Sequence, residues 1–415
     1  MYDNYLTLKS RLTSFFSSIL PGIFIIGYIV GTGSVTTMIS SGARYGMSLI
    51  WALLLSCIFS LVIIIATSKL TIVSGKTLFF NIKNNFSGWI ALALMGGLLL
   101  TMIASVIGVM GVMTEVLYDW SKSLDLSFTL HPVITALIFI GLLYYLFWIG
   151  SHNLFLNALA IMVAIMVISF ISTAFLSRLE PVDIAQGFIP NIPQGDNPYF
   201  IIAGMVGTTM ASVVLVSRSI LVHEKKWTTV DLRVQNRDAI ISMTITFLVS
   251  MAIIAAATGT LHRQGLMVDN AIDMVVALEP FAGRFAAALF IVGIICAGLS
   301  SIFPNLLLLP WLICDYTDQE RELRQTKFRV MVFLLAILGF FVPLFGGKPV
   351  VIMIASQAIS PVIMPLLIIV VIILMNKRDV MGQAKNDMFM NLCLIMTLIF
   401  SVYMCYIALM GFAKV

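Results

Sequence analysis

Eleven long apolar runs follow one another along this chain with only short polar stretches between them, and no other feature limits the fold so strongly. They cover residues 14–39, 46–68, 89–117, 132–150, 153–177, 199–222, 238–261, 279–309, 328–346, 350–375 and 388–411. A bilayer core about 30 Å thick is crossed by roughly 20 helical residues. Lipid offers the backbone no hydrogen-bonding partners, so a chain that crosses it repeatedly forms helices or a closed barrel. Runs of this length predict helices, and the chain reads as an all-α polytopic membrane protein. Charged residues are only 10% of 415 and mean hydropathy is +1.06, against about 25% charged residues in soluble domains. The spans leave no room for a soluble domain, so residues 1–415 read as one transmembrane domain.

Basic residues orient it. Sixteen Lys and Arg, from Lys9 and Arg11 to Lys377, Arg378 and Lys385, fall on the side of the N-terminus, and seven fall opposite. Cytoplasmic loops carry the excess of Lys and Arg, which predicts a cytoplasmic N-terminus and an external C-terminus, most simply in the plasma (inner) membrane. The net charge of +5 is then a matter of topology, and no nucleic-acid partner is expected. The first run is too long for a cleaved signal. Five scattered cysteines without C-x-x-C spacing suggest neither a disulfide frame nor a metal cluster.

Within the spans, Val30-Gly31-Thr32 and Val206-Gly207-Thr208 repeat one tripeptide near the middles of the first and sixth runs. Paired Gly-interrupted spans at matching places in two halves point to the midplane site of a secondary transporter. The halves would be about 14–177 and 199–375, with 388–411 as an extra helix. Thr hydroxyls compete with the helix ladder, and Gly puts up no Cβ against unwinding. The plainer alternative is helix packing, because Gly27 and Gly31 also form a small-xxx-small motif. The transporter reading places the substrate among Gly31, Thr32, Gly33, Ser34, Gly207, Thr208, Thr209, Met210 and Ser212, with the amide of Gln357 from the tenth span. All are neutral. Half-helix N-termini among hydroxyls suit a neutral or anionic organic solute; a dication prefers carboxylate oxygens.

Ionisable groups inside the membrane are costly and mark function. Glu115, Arg218 and Arg284 are the chief candidates. Glu115 lies beside Tyr118 and Trp120 at the outer end of span 3 and reads as interfacial. Arg218 is expected to snorkel to the cytoplasmic face, and Arg284 to mark a helix start. No nucleophile–base pair appears, so neither an enzyme nor a cofactor is expected, and no obligate protein partner is implied.

Several ordered stretches resemble the Nramp (natural resistance-associated macrophage protein) family of proton-coupled divalent-metal transporters. These are Leu20-Pro21-Gly22, Ser41-Gly42-Ala43-Arg44-Tyr45-Gly46, Leu49 to Ser56, Ser68 to Leu78, Leu278-Glu279-Pro280, Ala297-Gly298-Leu299-Ser300-Ser301, Ser356-Gln357 and Met381-Gly382. The resemblance implies a LeuT-type fold, a 5+5 inverted repeat plus an eleventh helix. The family's chemistry does not carry over. Its helix-1 Asp-Pro-Gly-Asn falls on Gly31-Thr32-Gly33-Ser34. Its helix-6 Met-Pro-His falls on Met210-Ala211-Ser212 or on Ala211-Ser212-Val213. Its helix-3 carboxylates fall on Met102 and Ser105. The sequence therefore reads as an alternating-access transporter for a small non-metal solute, without the family's proton route. The alternative is a divalent cation (Mn/Fe/Mg-type) carried through a carboxylate-free site, with Met210, Gln357 and Ser34 as its ligands. A sensor that has lost turnover is the third reading.

Overall fold

The computed structural model describes residues 26–123, 129–149, 153–177, 179–319, 325–384 and 386–414. Its spans are α1 (Thr32–Tyr45), α2 (Ile50–Ser74), α3 (Gly88–Ser123), α4 (Pro132–Ile149), α5 (Asn153–Leu176), α6a (Pro198–Thr209), α6b (Ser212–Glu224), α7 (Leu232–Thr260), α8 (Ala286–Thr317), α9 (Thr326–Ile337), α10a (Pro349–Ala358), α10b (Ser360–Asn376) and α11 (Met388–Phe412). Among the described residues, nine helical segments are long and apolar enough to cross a membrane. The described part of the first run (26–45) and α5 are also helical apart from the break at Val30 and Gly31. Residues 14–25 of the first run, with Lys9, Arg11 and Leu20-Pro21-Gly22, lie outside the described residues.

Helix ends follow local chemistry. Asn197 caps α6a, its Oδ1 accepting from Phe200 N at 3.3 Å, with Pro198 in the first turn, where a missing N–H costs nothing. Asp387 caps α11 through Met390 N at 3.0 Å. Gly75 ends α2 in the left-handed region at φ 65°, a conformation that a Cβ disfavours. Two boundaries differ from the sequence reading. The first span runs on to Tyr45, and the second starts at Ile50, not 46, because Gly46 at φ 57° turns the chain between them. The tenth span is interrupted at Ile359, just ahead of Pro361, which has no N–H to give the ladder.

The first and sixth spans are broken as expected, but each break is shorter than the windows 31–34 and 207–210. Residues 26–29 are helical, Val30 and Gly31 are not, and α1 begins at Thr32 with Gly31 as its extended N-cap (ψ −172°). Thr208 and Thr209 still belong to α6a, and only Met210 and Ala211 leave the helix. Thr32, Gly33 and Ser34 therefore form the first turn of a helix and not an unwound strand. Both breaks lie in the interior, where α1, α6a and α6b are almost wholly buried.

Arg218 does not snorkel. Its side chain is 0% exposed, and its Nη1 lies 2.6 Å from Oδ2 of Asp238, which is 1% exposed. Its Nε donates to Ser68 Oγ at 3.3 Å. Three spans, α2, α6b and α7, meet on this one guanidinium. Arg284 sits in the single 3-10 turn that leads into α8, as expected of its position.

Candidate transport site

A buried cavity lies where the two breaks face α3, α8 and α10a. It is lined by Gly31, Gly33 and Ser34 of the first span, Gly207 and Thr208 of α6a, and Gln357 of α10a, all expected from the sequence. Thr32, Thr209, Met210 and Ser212 do not line it. The hydroxyl of Thr32 donates to Ile294 O in α8 at 3.0 Å, and that of Thr209 donates back to Met205 O. Met210 is packed into the core at 2% exposure, so the thioether at the cavity is that of Met353 instead. The backbone N–H of Ser212 is taken by Ser360 Oγ at 3.0 Å.

Three close approaches build the walls. A Cβ on Gly207 would lie 1.9 Å from the carbonyl oxygen of Gln357, so α6a and α10a touch backbone to backbone. A Cβ on Gly31 would meet Ser301 Oγ at 2.0 Å, and one on Gly33 would meet Met353 Cε at 2.6 Å. All three glycines are thus required by contact, and Gly31 also lies at a break.

The remaining polar wall, Tyr28, Thr101, Ser105, Ser301, Asn305, Ser356 and Ser360, was not anticipated. A signal existed for Asn305: it follows Pro304 in an otherwise apolar span, and an amide there needs a partner. It has two. Tyr28 Oη donates to Asn305 Oδ1 at 2.5 Å, and Asn305 Nδ2 donates to Ser105 Oγ at 3.2 Å. Gln357 Nε2 donates to Ser356 Oγ at 3.1 Å. The hydroxyl of Ser34, by contrast, is buried without a hydrogen-bond partner while facing the cavity, and a buried orphan of this kind is unusual.

No carboxylate lines the cavity, and the described residues contain no cluster of three His, Cys, Asp or Glu that could hold a metal. The partial charges nearest the cavity are those of the main chain. α6a ends here, and a helix C-terminus carries roughly half a negative charge on its last carbonyls. Gly207 and Thr208, in its last turn, line the cavity, as do Tyr28 and Ile29 beside the first break. The N-termini of α1 and α6b oppose them with partial positive charge. Space is tight: the cavity is about 40 Å³, where one water needs about 10–15 Å³.

Glu115 is remote from this wall and has a structural task. Its Oε2 accepts from Ala271 N at 3.1 Å, at the start of the 3-10 stretch Ala271–Leu278. Glu115→Gln keeps an acceptor oxygen there, and transport with its pH dependence is expected to stay within about twofold of the parent. A pH-sensitive dye inside liposomes checks this; acidification that accompanies transport and vanishes in the variant would make Glu115 a proton relay.

The family model described as "Natural resistance-associated macrophage protein-like" matches residues 22–411. The chain belongs to the Nramp family. It is 25% identical over 384 residues to "Divalent metal cation transporter MntH" of Verminephrobacter eiseniae, covering 89% of this chain and 83% of that one. With the protein of the same name from Deinococcus radiodurans it shares 26% over 374 residues, 84% of this chain and 79% of the relative. Among solved structures it superposes on a His-to-Ala variant of the Eremococcus coleocola manganese transporter with TM-score 0.75 at 17% identity, covering 95% of this chain and 86% of the other. A Glu-to-Gln variant of the same transporter gives 0.74 at 18% identity, with the same coverage. The fold is thus that of an Nramp transporter, a LeuT-type 5+5 arrangement with an eleventh helix, and the chain is an integral membrane transporter.

Proposed function

We propose that this protein moves a divalent metal cation of the Mn/Fe/Mg type across the membrane by alternating access, through a site that has no carboxylate. The observation that carries the reading is the cavity itself: about 40 Å³, bounded by the C-terminus of α6a and the unpartnered Ser34 hydroxyl. Such a space suits an ion with a few waters better than a sugar or nucleoside. The relatives named as divalent metal cation transporters support the same class. With neutral ligands only, the ion keeps part of its hydration, and binding falls at the weak end of protein oxygen sites, about 10⁻⁴–10⁻³ M. Neutral residues at Met102, Ser105 and Ser212 leave no titratable relay beside the site, so transport does not use the family's proton route. The membrane is the plasma membrane, with the N-terminus cytoplasmic and the C-terminus outside, and the inverted repeats span about 14–177 and 199–375.

Proteoliposomes loaded with a metal-sensitive dye test this. Saturable Mn²⁺ or Mg²⁺ entry is expected, and Ser34→Ala should weaken its half-saturation by about 5- to 150-fold, the range for losing one buried polar partner. One observation favours the second reading, a small neutral solute: the wall lacks any charged side chain. Absence of metal entry, together with thermal stabilisation by a small amino acid or amide, would establish that reading in its place.

A further inference from the structure

Where α4 ends and α9 begins, one arginine is stacked on an aromatic ring with no carboxylate beside it. Arg329 lies in the first turn of α9, and Trp148 is the last residue but one of α4. The guanidinium carbon is 3.6 Å from the centroid of the Trp148 ring, well inside the range of a cation–π contact. Tyr144 backs the pair: its ring centroid is 6.1 Å from that of Trp148 and, edge-on, 5.4 Å from that of Phe333 in α9. Tyr145, Trp148, Val330, Phe333 and Leu334 are all exposed, so the groove between the two helices opens outward, towards lipid. The Nε of Arg329 is buried without a hydrogen-bond partner. No hydrogen bond or ion pair occupies Nη1 or Nη2 among the described residues, and neither atom is closed off as Nε is. The stack fixes the guanidinium while its outer edge still offers donors.

We infer that the α4–α9 groove binds the headgroup of an anionic phospholipid, with Arg329 holding the phosphate and Trp148 holding the arginine. The two terminal nitrogens of a guanidinium match two phosphate oxygens, a geometry that an ammonium cannot reproduce. The exposed apolar side chains of Tyr145, Val330 and Leu334 give the acyl chains a surface to lie on. Charge selects among lipids: a phosphatidylcholine brings its own ammonium against Arg329, whereas a phosphatidylglycerol brings none. The topology of the span count puts both helix ends on the cytoplasmic side, where anionic lipids attract cations close to the membrane. A lipid seated there touches α4 and α9 together and stabilises their contact at this end. The inference does not depend on which solute the central cavity carries.

Thermal unfolding of the full-length protein in detergent tests this, with short-chain phosphatidylglycerol, phosphatidylcholine or inorganic phosphate added. Phosphatidylglycerol should raise the unfolding midpoint above that in phosphatidylcholine, because a ligand of the folded state stabilises it. Arg329→Gln should weaken the apparent affinity for phosphatidylglycerol at least about 5-fold, the worth of one basic residue at an anionic surface. Arg329→Lys should recover only part of it, since an ammonium lacks the fork and the stack. Lys225→Gln, which removes an exposed cation outside the groove, should leave the affinity unchanged. A photoactivatable phosphatidylglycerol applied to the unaltered chain gives a second measurement, and it covers the case in which Arg329→Gln does not fold. Its adducts should map to residues 144–149 and 329–334. Equal stabilisation by the two lipids, a response of Arg329→Gln as large as the parent's, or adducts without preference for these segments would overturn the lipid site. Inorganic phosphate reproducing the whole effect would overturn it too, in favour of a soluble anion.

Discussion

Gly207→Ala is expected to abolish transport and to resist rescue, whereas Gly31→Ala is expected to be rescued by Ser301→Ala. Gly31 sits at a break and Gly207 in the last helical turn before the other, and both would put a Cβ about 2 Å from a neighbour, yet the neighbours differ. At Gly207 the obstacle is the main-chain carbonyl of Gln357 at 1.9 Å, with its carbon at 2.7 Å and Pro361 Cδ at 3.0 Å. Main chain can retreat only if α6a and α10a move apart as units. Gln357 is itself a wall residue, so the separation carries its amide away from the site. Overpacking of this sort costs about 1–3 kcal/mol, and because the displaced group faces the substrate the loss should appear mainly as transport. At Gly31 the obstacle is the terminal oxygen of one Ser side chain at 2.0 Å, with Ser301 Cβ at 3.2 Å. Deleting that oxygen leaves an added methyl in tight but tolerable contact. Initial rates of Mn²⁺ entry and thermal unfolding of the four variants settle the matter. Equal damage at both sites, or rescue of Gly207→Ala by Ser301→Ala, would show that the breaks are not walled as described.

The parts of the molecule that lipid dictates could be read from the sequence, and the parts that depend on which faces meet could not. Apolar run length gave the nine spanning helices found among the described residues, because a helix in a bilayer must cross it. The first break was visible because Gly31 marks it; the second lies at Met210–Ala211, just past the matching tripeptide Val206-Gly207-Thr208, which stays helical. The polar wall from α3, α8 and α10a was hidden. A Ser or Thr in an apolar helix usually bonds back to its own ladder, as Thr67 does to Ile63 O at 2.8 Å, and sequence does not separate that from a Ser turned to a cavity. Met210 and Met353 illustrate the same limit: both are buried methionines in broken spans, and only the rotation of their helices decides which one meets the site. The resemblance correctly indicated family and fold, while the small wall-to-wall distance, which bears on the substrate, is a property of three dimensions. Arg218 was misread for a related reason. Its partner, Asp238, lies across a polar loop at the first residue of the seventh run, and spacing along the chain does not show that the two side chains meet in the interior.

That pair yields the second large effect. Removing either charge alone is expected to destabilise the protein by about 3–5 kcal/mol, while replacing both by apolar residues should cost little. Arg218 and Asp238 are 0% and 1% exposed, so a lone survivor has no water to turn to. The described contacts of the guanidinium are few: Asp238 at 2.6 Å, Ser68 at 3.3 Å and the Trp227 ring at 5.7 Å. Its Nη2 has no hydrogen-bond partner, and neither does the side-chain amide of nearby Gln235 in α7. An ion pair that is incompletely satisfied repays only part of its own desolvation, and this one is therefore held for what it joins. It spans α6b, α7 and α2, which places it between the break at Met210–Ala211 and the rest of the bundle. Thermal unfolding in detergent should show Arg218→Ala and Asp238→Ala each far below the parent, and Arg218→Met with Asp238→Leu close to it. Transport supplies the second readout. If the pair only fills space, the double variant transports normally; if it keeps α6b in register with α7, the double variant is stable but slow, and this is the expected outcome. Single variants as stable as the parent would mean that water reaches the guanidinium and that the interior here is wetter than its packing indicates.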